Sequence, residues 1–328
     1  MVNGDVMFHG TLGKDEEFLS RLKVLRDRIA AAEIPDSVLD QSLNIATWNI
    51  REFGRKKRYQ TSVHLLAEIA NQFDLIALVE LRDDLGDLRR MMEVLGDYWK
   101  VVYCDYRTDS AGNRERIGYL YDSRVVRFTG LAAEADPPRT KKNGEWTANF
   151  ADWWRSPYMA SFKAGSFEFV VCTLHARWGS ERTTQEREQR RREELANFAR
   201  WIKERVADKG QSEKDWLIMG DFNITQPEML DDLKLSDFHI PPGLLQPRYT
   251  SVSRKHAYDQ ILHAPTMSGN ITEHGGIIDF VGTDWKVLCP SAQNMAQFTR
   301  QLSDHFPLWI QIRTDVIANR IENAGLGD

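Results

Sequence analysis

Two histidines, His175 and His305, each lie next to an apolar run in a short polar phrase. Histidine titrates near neutral pH, so it is the usual general acid or base in hydrolytic sites. Each imidazole would need a carboxylate that fixes its tautomer, and Asp259 and Glu115 are available. Spacing alone leaves open which carboxylate pairs with which histidine. A single histidine in such a place is more often a hydrogen-bonded structural residue, but two of them with spare carboxylates favour catalysis.

Carboxylate and amide side chains stand at the ends of several other apolar segments. Taken singly, Asn49 could cap a turn and Asp221 could cap a helix. Asp221 and Asn223 follow the apolar segment 216–219, so both polar groups are expected to leave a strand end on the same side. Oxygen ligands without cysteine suit Mg²⁺, with Mn²⁺ or Ca²⁺ as alternatives, and do not suit structural zinc. The candidate ligands are Asn49, Glu80, Asp221, Asn223 and Asp304.

The composition is that of an ordinary globular protein of 328 residues, with 42% hydrophobic and 28% charged residues. A net charge of −5 argues against a broadly basic nucleic-acid coat. That net charge is compatible with a local basic cluster. Arg51 and residues 55–58 form such a cluster, which is either a nucleic-acid contact or a solvated loop.

The cysteine usage and the hydropathy indicate a reduced, cytoplasmic setting with no membrane partner. The three cysteines are not at metal-ligand spacing, and Cys172 lies inside an apolar run that predicts a buried thiol. No secretory signal pattern is visible. No apolar run approaches the roughly 20 residues that a bilayer requires.

Residues 1–42 are predicted to be an N-terminal helical extension. Phe18, Leu22, Leu25 and Ile29 recur at helical spacing, and acidic residues precede them in the first turn. The apolar stripe either packs on the main domain or binds a protein partner through helix 15–30. Residues 314–328 are assigned to a C-terminal tail.

Residues 43–313 are predicted to form a single α/β domain. Helices are expected at 63–70 and 184–207, and residues 130–157 are expected to be a long loop because they are polar and contain Pro137 and Pro138. Strands outnumber helices, and many turns are of hairpin length, which favours a mostly antiparallel sandwich. The predicted strands are 43–48, 75–79, 116–121, 125–128, 159–162, 167–174, 216–219, 260–263, 278–281 and 308–312.

The ordered polar phrases resemble the motifs of the endonuclease/exonuclease/phosphatase superfamily, and within it the pancreatic type of deoxyribonuclease. The combination of Gly-Asp-Phe-Asn with a late Ser-Asp-His is the most specific part of the resemblance. The phrases span 45–54, 74–83, 155–157, 174–175, 220–223, 257–259 and 303–307, and together they cover residues 43–313.

The resemblance implies a four-layered α/β/β/α sandwich of two mixed, mostly antiparallel sheets flanked by helices. It places a divalent-metal phosphodiesterase site at one end of the sandwich. Glu80 would be the main metal ligand, and Asn49, Asp221, Asn223 and Asp304 would bind metal or phosphate. His175 would pair with Asp259, and His305 with Glu115. Arg155 would contact the scissile phosphate, Arg82 the minor groove of duplex DNA, and Arg51 a backbone phosphate.

The sequence therefore predicts a metal-dependent nuclease that prefers DNA, with duplex DNA as its partner. Because the fold hosts several chemistries, a phosphodiesterase or phosphatase for a small-molecule or lipid phosphate is the enzymatic alternative. The non-enzymatic alternative is an inactive scaffold that binds a protein through helix 15–30.

Overall fold

The structure, a computed structural model, describes residues 9–106, 111–149, 153–178, 185–225, 229 and 237–317. Five α-helices lie within these ranges: α1 Glu16–Ala30, α2 Gln60–Ala70, α3 Gly86–Leu95, α4 Gln185–Ala207 and α5 Met295–Gln301. The strands within the same ranges are β1 Ser42–Phe53, β2 Leu75–Leu81, β3 Trp99–Tyr103, β4 Arg116–Asp122, β5 Arg127–Glu134, β6 Arg139–Lys142, β7 Glu145–Ala148, β8 Tyr158–Ala164, β9 Phe167–His175, β10 Trp216–Asp221, β11 Asp259–His263, β12 Ile271–Ile277 and β13 Leu308–Arg313.

The strands form two large sheets and one separate hairpin. The six-stranded sheet has the order β12-β13-β1-β2-β4-β3, and the five-stranded sheet has the order β11-β10-β9-β8-β5. The pairs β1–β2 and β9–β10 are parallel, whereas the other pairs are antiparallel. The predicted mixed, mostly antiparallel sheets are confirmed.

Three hydrophobic clusters show how the layers are stacked. Successive side chains of a strand point to opposite faces, so each sheet contributes to two clusters. In β1, Ile45 enters the cluster between the sheets, whereas Ala46 and Trp48 pack under α1, α2 and α3. In β10, Leu217 enters the central cluster and Trp216 packs under α4. This is the predicted four-layered α/β/β/α sandwich.

Helix α1 packs on the main domain through the apolar stripe that the sequence identified. Phe18, Leu22, Leu25 and Ile29 are buried in the same cluster as the residues of α2. Arg26 adds two hydrogen bonds to Glu68, at 3.1 and 2.7 Å. The stripe is therefore covered by the domain itself, and the hypothesis of a protein partner on helix 15–30 loses the apolar surface on which it depended.

Three details of the predicted secondary structure were wrong. Residues 130–157 are not one long loop, because β5 continues to Glu134 and the hairpin β6–β7 follows it. Ile278, Phe280 and Val281 are buried, but residues 278–281 do not form a strand; the edge strand is β12, whose two glycines and polar residues hid it in the sequence. Helices α3 and α5 and strand β3 were also missed; each is only five to ten residues long.

All three cysteines are buried and unpaired. The burial of Cys172 was predicted from the apolar run around it.

Within the described ranges, no helix combines the length and the apolarity that crossing a bilayer requires.

Candidate active site

Three neighbouring strands of the five-stranded sheet bring a histidine and two carboxylates to the same level. β9 ends at His175, β10 ends at Asp221 and β11 begins at Asp259. Asp221 is the register partner of both His175 and Asp259. Adjacent strands lie about 4.8 Å apart, so these three side chains lie close together at one end of the strands.

The six-stranded sheet supplies the opposite wall of the same site. Asn49 and Glu80 lie near the carboxyl ends of the parallel strands β1 and β2. The loop before β13 is fixed to β1, because Ser303 Oγ donates to the carbonyl of Asn49 at 2.6 Å and Trp48 Nε1 donates to the carbonyl of His305 at 2.9 Å. The two sheets therefore present their functional ends to each other.

These side chains surround a cavity of about 450 Å³. Nine of the twelve predicted site residues line it: Asn49, Glu80, Glu115, Arg155, His175, Asp221, Asn223, Asp304 and His305. The other three stand behind a lining residue: Asp259 contacts His305, Arg82 contacts Glu115, and Arg51 contacts Asp304. A larger cavity of about 600 Å³ lies at the other end of β1, and none of the twelve lines it.

The cavity also has aromatic walls that the sequence analysis did not identify. Trp178, which is 60% exposed, and Tyr258 both line it. Tyr258 lies with its ring centroid 5.5 Å from that of His305 and is stacked on His256 at 4.9 Å. Their positions beside His175 and Asp259 in the sequence were the available signal.

The two histidines form separate pairs with carboxylates, and the pairing implied by the family resemblance is wrong. His305 Nδ1 lies 2.7 Å from Asp259 Oδ2, whereas His175 Nδ1 lies 3.2 Å from Glu115 Oε2. The reason is strand order, since Glu115 precedes β4 on the side of the cavity where β9 ends, while Asp259 begins β11. In both pairs Nδ1 faces the carboxylate, so Nε2 faces the cavity.

Both Nε2 atoms approach the same oxygen. His175 Nε2 lies 3.7 Å and His305 Nε2 lies 3.9 Å from Asp221 Oδ2. Asp221 Oδ1 is occupied by the backbone N–H of Asn223 at 2.9 Å, which fixes the carboxylate plane. Both imidazoles therefore lie within 4 Å of a single acidic oxygen.

The surroundings shift the titration of these groups in different directions. Burial lowers the pKa of His305, but Asp259 and Asp221 outweigh burial and raise it to about 10. Burial raises the pKa of Asp259, with His305 acting against that rise. Burial would raise the pKa of Glu115, but His175 and Arg155 lower it to about 2. His305 is therefore cationic and Glu115 anionic at neutral pH.

Asn49 and Glu80 are held together by a network that includes strained backbone. Asn49 Nδ2 donates to Glu80 Oε1 and to Asp221 Oδ2, both at 2.9 Å. Glu80 Oε2 accepts from the backbone N–H of Glu52 at 2.7 Å. Glu80, Arg51 and Glu52 have φ values of 65°, 44° and 44°, a region that costs energy for residues with a Cβ. Burial and the nearby charge of Glu115 raise the pKa of Glu80.

Arg155 and Arg82 converge on Glu115. Arg155 Nε lies 2.6 Å from Glu115 Oε2, and Arg82 Nη1 lies 3.4 Å from Glu115 Oε1. The chain turns at Glu80, whose φ is 65°, and the Arg82 side chain is directed inward to Glu115.

The basic cluster around Arg51 divides into structural and exposed members. Arg58 is buried and donates to the carbonyls of Leu302, Ile50 and Arg51 at 2.5, 2.6 and 2.6 Å, so it is structural. Arg51 Nη1 lies 3.3 Å from Asp304 Oδ2 and also contacts Thr299. The exposed members are Arg55, Lys56 and Lys57.

The fold is shared with solved structures of low sequence similarity. D. rerio TDP2 complexed with single strand DNA product superposes with a TM-score of 0.54 at 16% identity, over 83% of this chain and 98% of that chain. An endonuclease/exonuclease/phosphatase family protein from Bacteroides thetaiotaomicron gives 0.52 at 14% identity, over 83% and 95%. A mannosyl-6-phosphatase from the same organism gives 0.52 at 15% identity, over 82% and 99%.

No protein-family profile and no curated protein sequence matches the chain. The structural similarity establishes the architecture: the chain has the fold of the endonuclease/exonuclease/phosphatase superfamily, as its motifs implied.

We predict that double-mutant cycles will report the pairing seen here. His175→Ala and His305→Ala should each slow cleavage of DNA, whose alkoxide leaving group needs a proton, by about 10²–10⁴, as for loss of a general acid or base. Adding Asp259→Asn to His305→Ala should cost little more, because the Asp259 carboxylate contacts His305 alone among the cavity bases. The crosswise combination of Asp259→Asn with His175→Ala should show weaker coupling. Equal or stronger crosswise coupling would contradict the assignment.

Arg82 yields a second prediction, which separates positioning from DNA reading. Because Arg82 contacts Glu115, Arg82→Ala should slow duplex cleavage and small-diester hydrolysis by a similar factor, about tenfold for a lost hydrogen bond to a charged group. Arg82→Lys should restore part of both activities. A selective loss of duplex cleavage, measured as the ratio of the two rates at one salt concentration, would instead assign Arg82 to DNA recognition.

Proposed function

We propose that this protein is a divalent-metal-dependent phosphodiester hydrolase that acts on nucleic acid, with DNA preferred. The observation that carries the proposal is the approach of both imidazole Nε2 atoms to Asp221 Oδ2, at 3.7 and 3.9 Å. Two proton-transfer groups beside one small space suit hydrolysis at phosphorus, since one can assist the attacking water and the other the leaving oxygen.

The donor atoms at the centre fit a hard divalent cation. Glu80, Asp304 and Asp221 supply carboxylates, Asn49 supplies an amide oxygen, and no cysteine lines the described cavity. Burial raises the pKa of Glu80, and the charges of Glu115 and Asp304 act in the same direction, so a cation at this carboxylate would relieve electrostatic cost. Mg²⁺ or Mn²⁺ held there would polarise a phosphoryl oxygen and lower the pKa of bound water.

The two histidines suit different roles. Asp259 serves His305 alone among the cavity bases and helps to keep it protonated, so His305 would donate a proton to the leaving oxygen. Glu115 contacts His175 Nδ1 and is shared with Arg155 and Arg82. Because His305 is assigned to the leaving oxygen, His175 would accept the proton from the attacking water.

Arg155 and Asn223 would bind the phosphate. Arg155 is buried and its Nη1 has no hydrogen-bond partner among the described residues. A guanidinium fixed by Glu115 with a free donor is suited to a phosphoryl oxygen. Asn223 Nδ2 donates to the carbonyl of Ala176 at 2.9 Å, which orients the rest of the amide at the cavity.

A polymeric substrate is supported by charge outside the cavity. Arg51, Arg55, Lys56 and Arg300 line a small notch of about 90 Å³ that shares Glu52 with the cavity. Spread cations of this kind are what a phosphate backbone needs. TDP2 complexed with single strand DNA product shares the fold, and so does a mannosyl-6-phosphatase; a small-molecule phosphatase is therefore the alternative that the following test must separate.

We predict metal-dependent hydrolysis of diesters. With Mg²⁺ or Mn²⁺, the protein should cleave single-stranded DNA, plasmid and bis(p-nitrophenyl) phosphate, and EDTA should stop all three reactions. Glu80→Gln should lose most turnover while retaining the fold, since one ligand is weakened and little packing changes. The matched control is Glu93→Gln on the exposed face of α3, which should behave as the parent protein.

Full activity in EDTA would contradict the metal assignment. Hydrolysis of a phosphomonoester with no cleavage of any diester would contradict the nuclease proposal and favour the phosphatase alternative.

A further inference from the structure

The hairpin β6–β7 contributes no residue to the lining of the proposed site. Its strands, Arg139–Lys142 and Glu145–Ala148, form a separate two-stranded sheet. The connecting residues Asn143 and Gly144 have φ values of 51° and 89°. Two left-handed residues in Asn-Gly order form a tight two-residue turn that matches the twist of paired strands. The hairpin is therefore a short, well-defined ribbon.

Register divides the hairpin into two chemically different faces. Arg139 pairs with Ala148 and Lys141 pairs with Trp146, and alternate pairs share a face. One face therefore carries Arg139, Lys141 and Trp146. The opposite face carries Thr140, Thr147, Lys142 and Glu145, so the only acidic residue of the two strands lies opposite a lysine and away from the tryptophan.

Nothing in the described structure covers the face of Arg139, Lys141 and Trp146. Every residue of both strands is exposed, and Trp146 is 67% exposed. On the other face, Thr140 and Thr147 form hydrogen bonds within the hairpin and its base, to Asn149 Oδ1 and to the carbonyl of Thr140. Trp146 lies opposite Lys141 and diagonal to Arg139, so one uncovered face combines an aromatic ring with two cations.

The hairpin is rooted at the edge of the candidate active site. It lies between β5 and β8; Glu134 at the end of β5 pairs with Tyr158, and Tyr158 pairs with Thr173, two residues before His175. The N–H of Ala135 donates to the carbonyl of Pro157 at 2.8 Å, which closes the base of the insertion. Arg155, near the end of the same insertion, lines the cavity. A ribbon of four residues per strand extends about 13 Å from its base.

We propose that the face of Arg139, Lys141 and Trp146 binds an unpaired strand of nucleic acid that enters or leaves the active site. This inference rests on the proposed function and specifies its substrate. The two cations fit backbone phosphates, and an indole stacks on a base of any sequence. An unpaired strand exposes base faces, whereas a continuous duplex hides them inside its stack, so the tryptophan favours single-stranded over duplex nucleic acid.

The test is the binding of fluorescein-labelled single-stranded DNA to the full chain in EDTA, measured by anisotropy over a range of salt concentrations. Lys141→Ala should weaken binding about fivefold and reduce the salt slope by about 0.7, the value for one lost phosphate contact on a single strand. Trp146→Ala should weaken binding by about fivefold or more with an unchanged slope, because stacking carries no charge. Lys142→Ala removes the same charge from the opposite face and should change affinity less than twofold.

Each alternative gives a different result. Equal effects of Lys141→Ala and Lys142→Ala would show that DNA is attracted by the positive charge of the hairpin irrespective of the face, and would overturn the proposal. A neutral Trp146→Ala, or an equal effect on blunt duplex, would overturn the single-strand assignment. Binding of phosphatidylserine vesicles through Lys141 and Trp146 without binding of DNA would assign the face to anionic lipid instead.

The outcome is separable from the proposed function. All three variants should hydrolyse bis(p-nitrophenyl) phosphate like the parent protein, since no hairpin residue lines the cavity. If the parent protein fails to hydrolyse this diester, the proposed function fails while the binding test still stands. If hydrolysis is intact and binding does not distinguish the two faces, the hairpin inference alone fails.

Discussion

The crowding of negative charge at one end of the sandwich is the constraint on which the rest of the site depends. Besides Glu52, which pairs with Arg55, five carboxylates meet there: Glu80, Glu115, Asp221, Asp259 and Asp304. Like charges at this spacing repel strongly in a partly buried setting. Each carboxylate accordingly has an assigned partner: His305 for Asp259, three cationic side chains for Glu115, Arg51 for Asp304, and the amide of Asn49 for both Glu80 and Asp221.

The fold supplies these partners through its topology. The parallel pairs β1–β2 and β9–β10 bring carboxyl strand ends to one edge of each sheet, and the loop before β13 is fixed across that edge by Trp48 and Ser303. Left-handed backbone at Glu80 and Asn223 turns their side chains into the cavity, at a cost of about 1–3 kcal/mol for each such residue. Packing of both sheets and all four layers offsets that cost.

The sequence predicted the architecture and most of the polar residues that line the cavity, because the order of the motifs and their positions at strand ends can be recognised in the sequence itself. It could not predict which carboxylate pairs with which histidine, since separation along the chain does not decide between Glu115 and Asp259 until the strand order is known. The direction of Arg82 depended on one left-handed residue, Glu80, which has no signature in a β-rich segment. The hairpin β6–β7 was missed because its strands are polar on both faces, although its Asn143-Gly144 turn was a readable signal. Trp178 and Tyr258 could not be assigned to the site from the sequence, because their place in it depends on the shape of the cavity that they line.

Anomalous diffraction from crystals soaked in Mn²⁺ tests whether the crowded carboxylates bind a divalent cation at Glu80. We expect one strong peak at about 2.0–2.3 Å from a carboxylate oxygen of Glu80, the distance expected for a hard cation and oxygen. The same soak of Glu80→Gln crystals should show the peak lost or much weakened. No peak in the cavity of the parent protein, or a peak that is unchanged in Glu80→Gln crystals, would show that Glu80 is not a ligand of the cation.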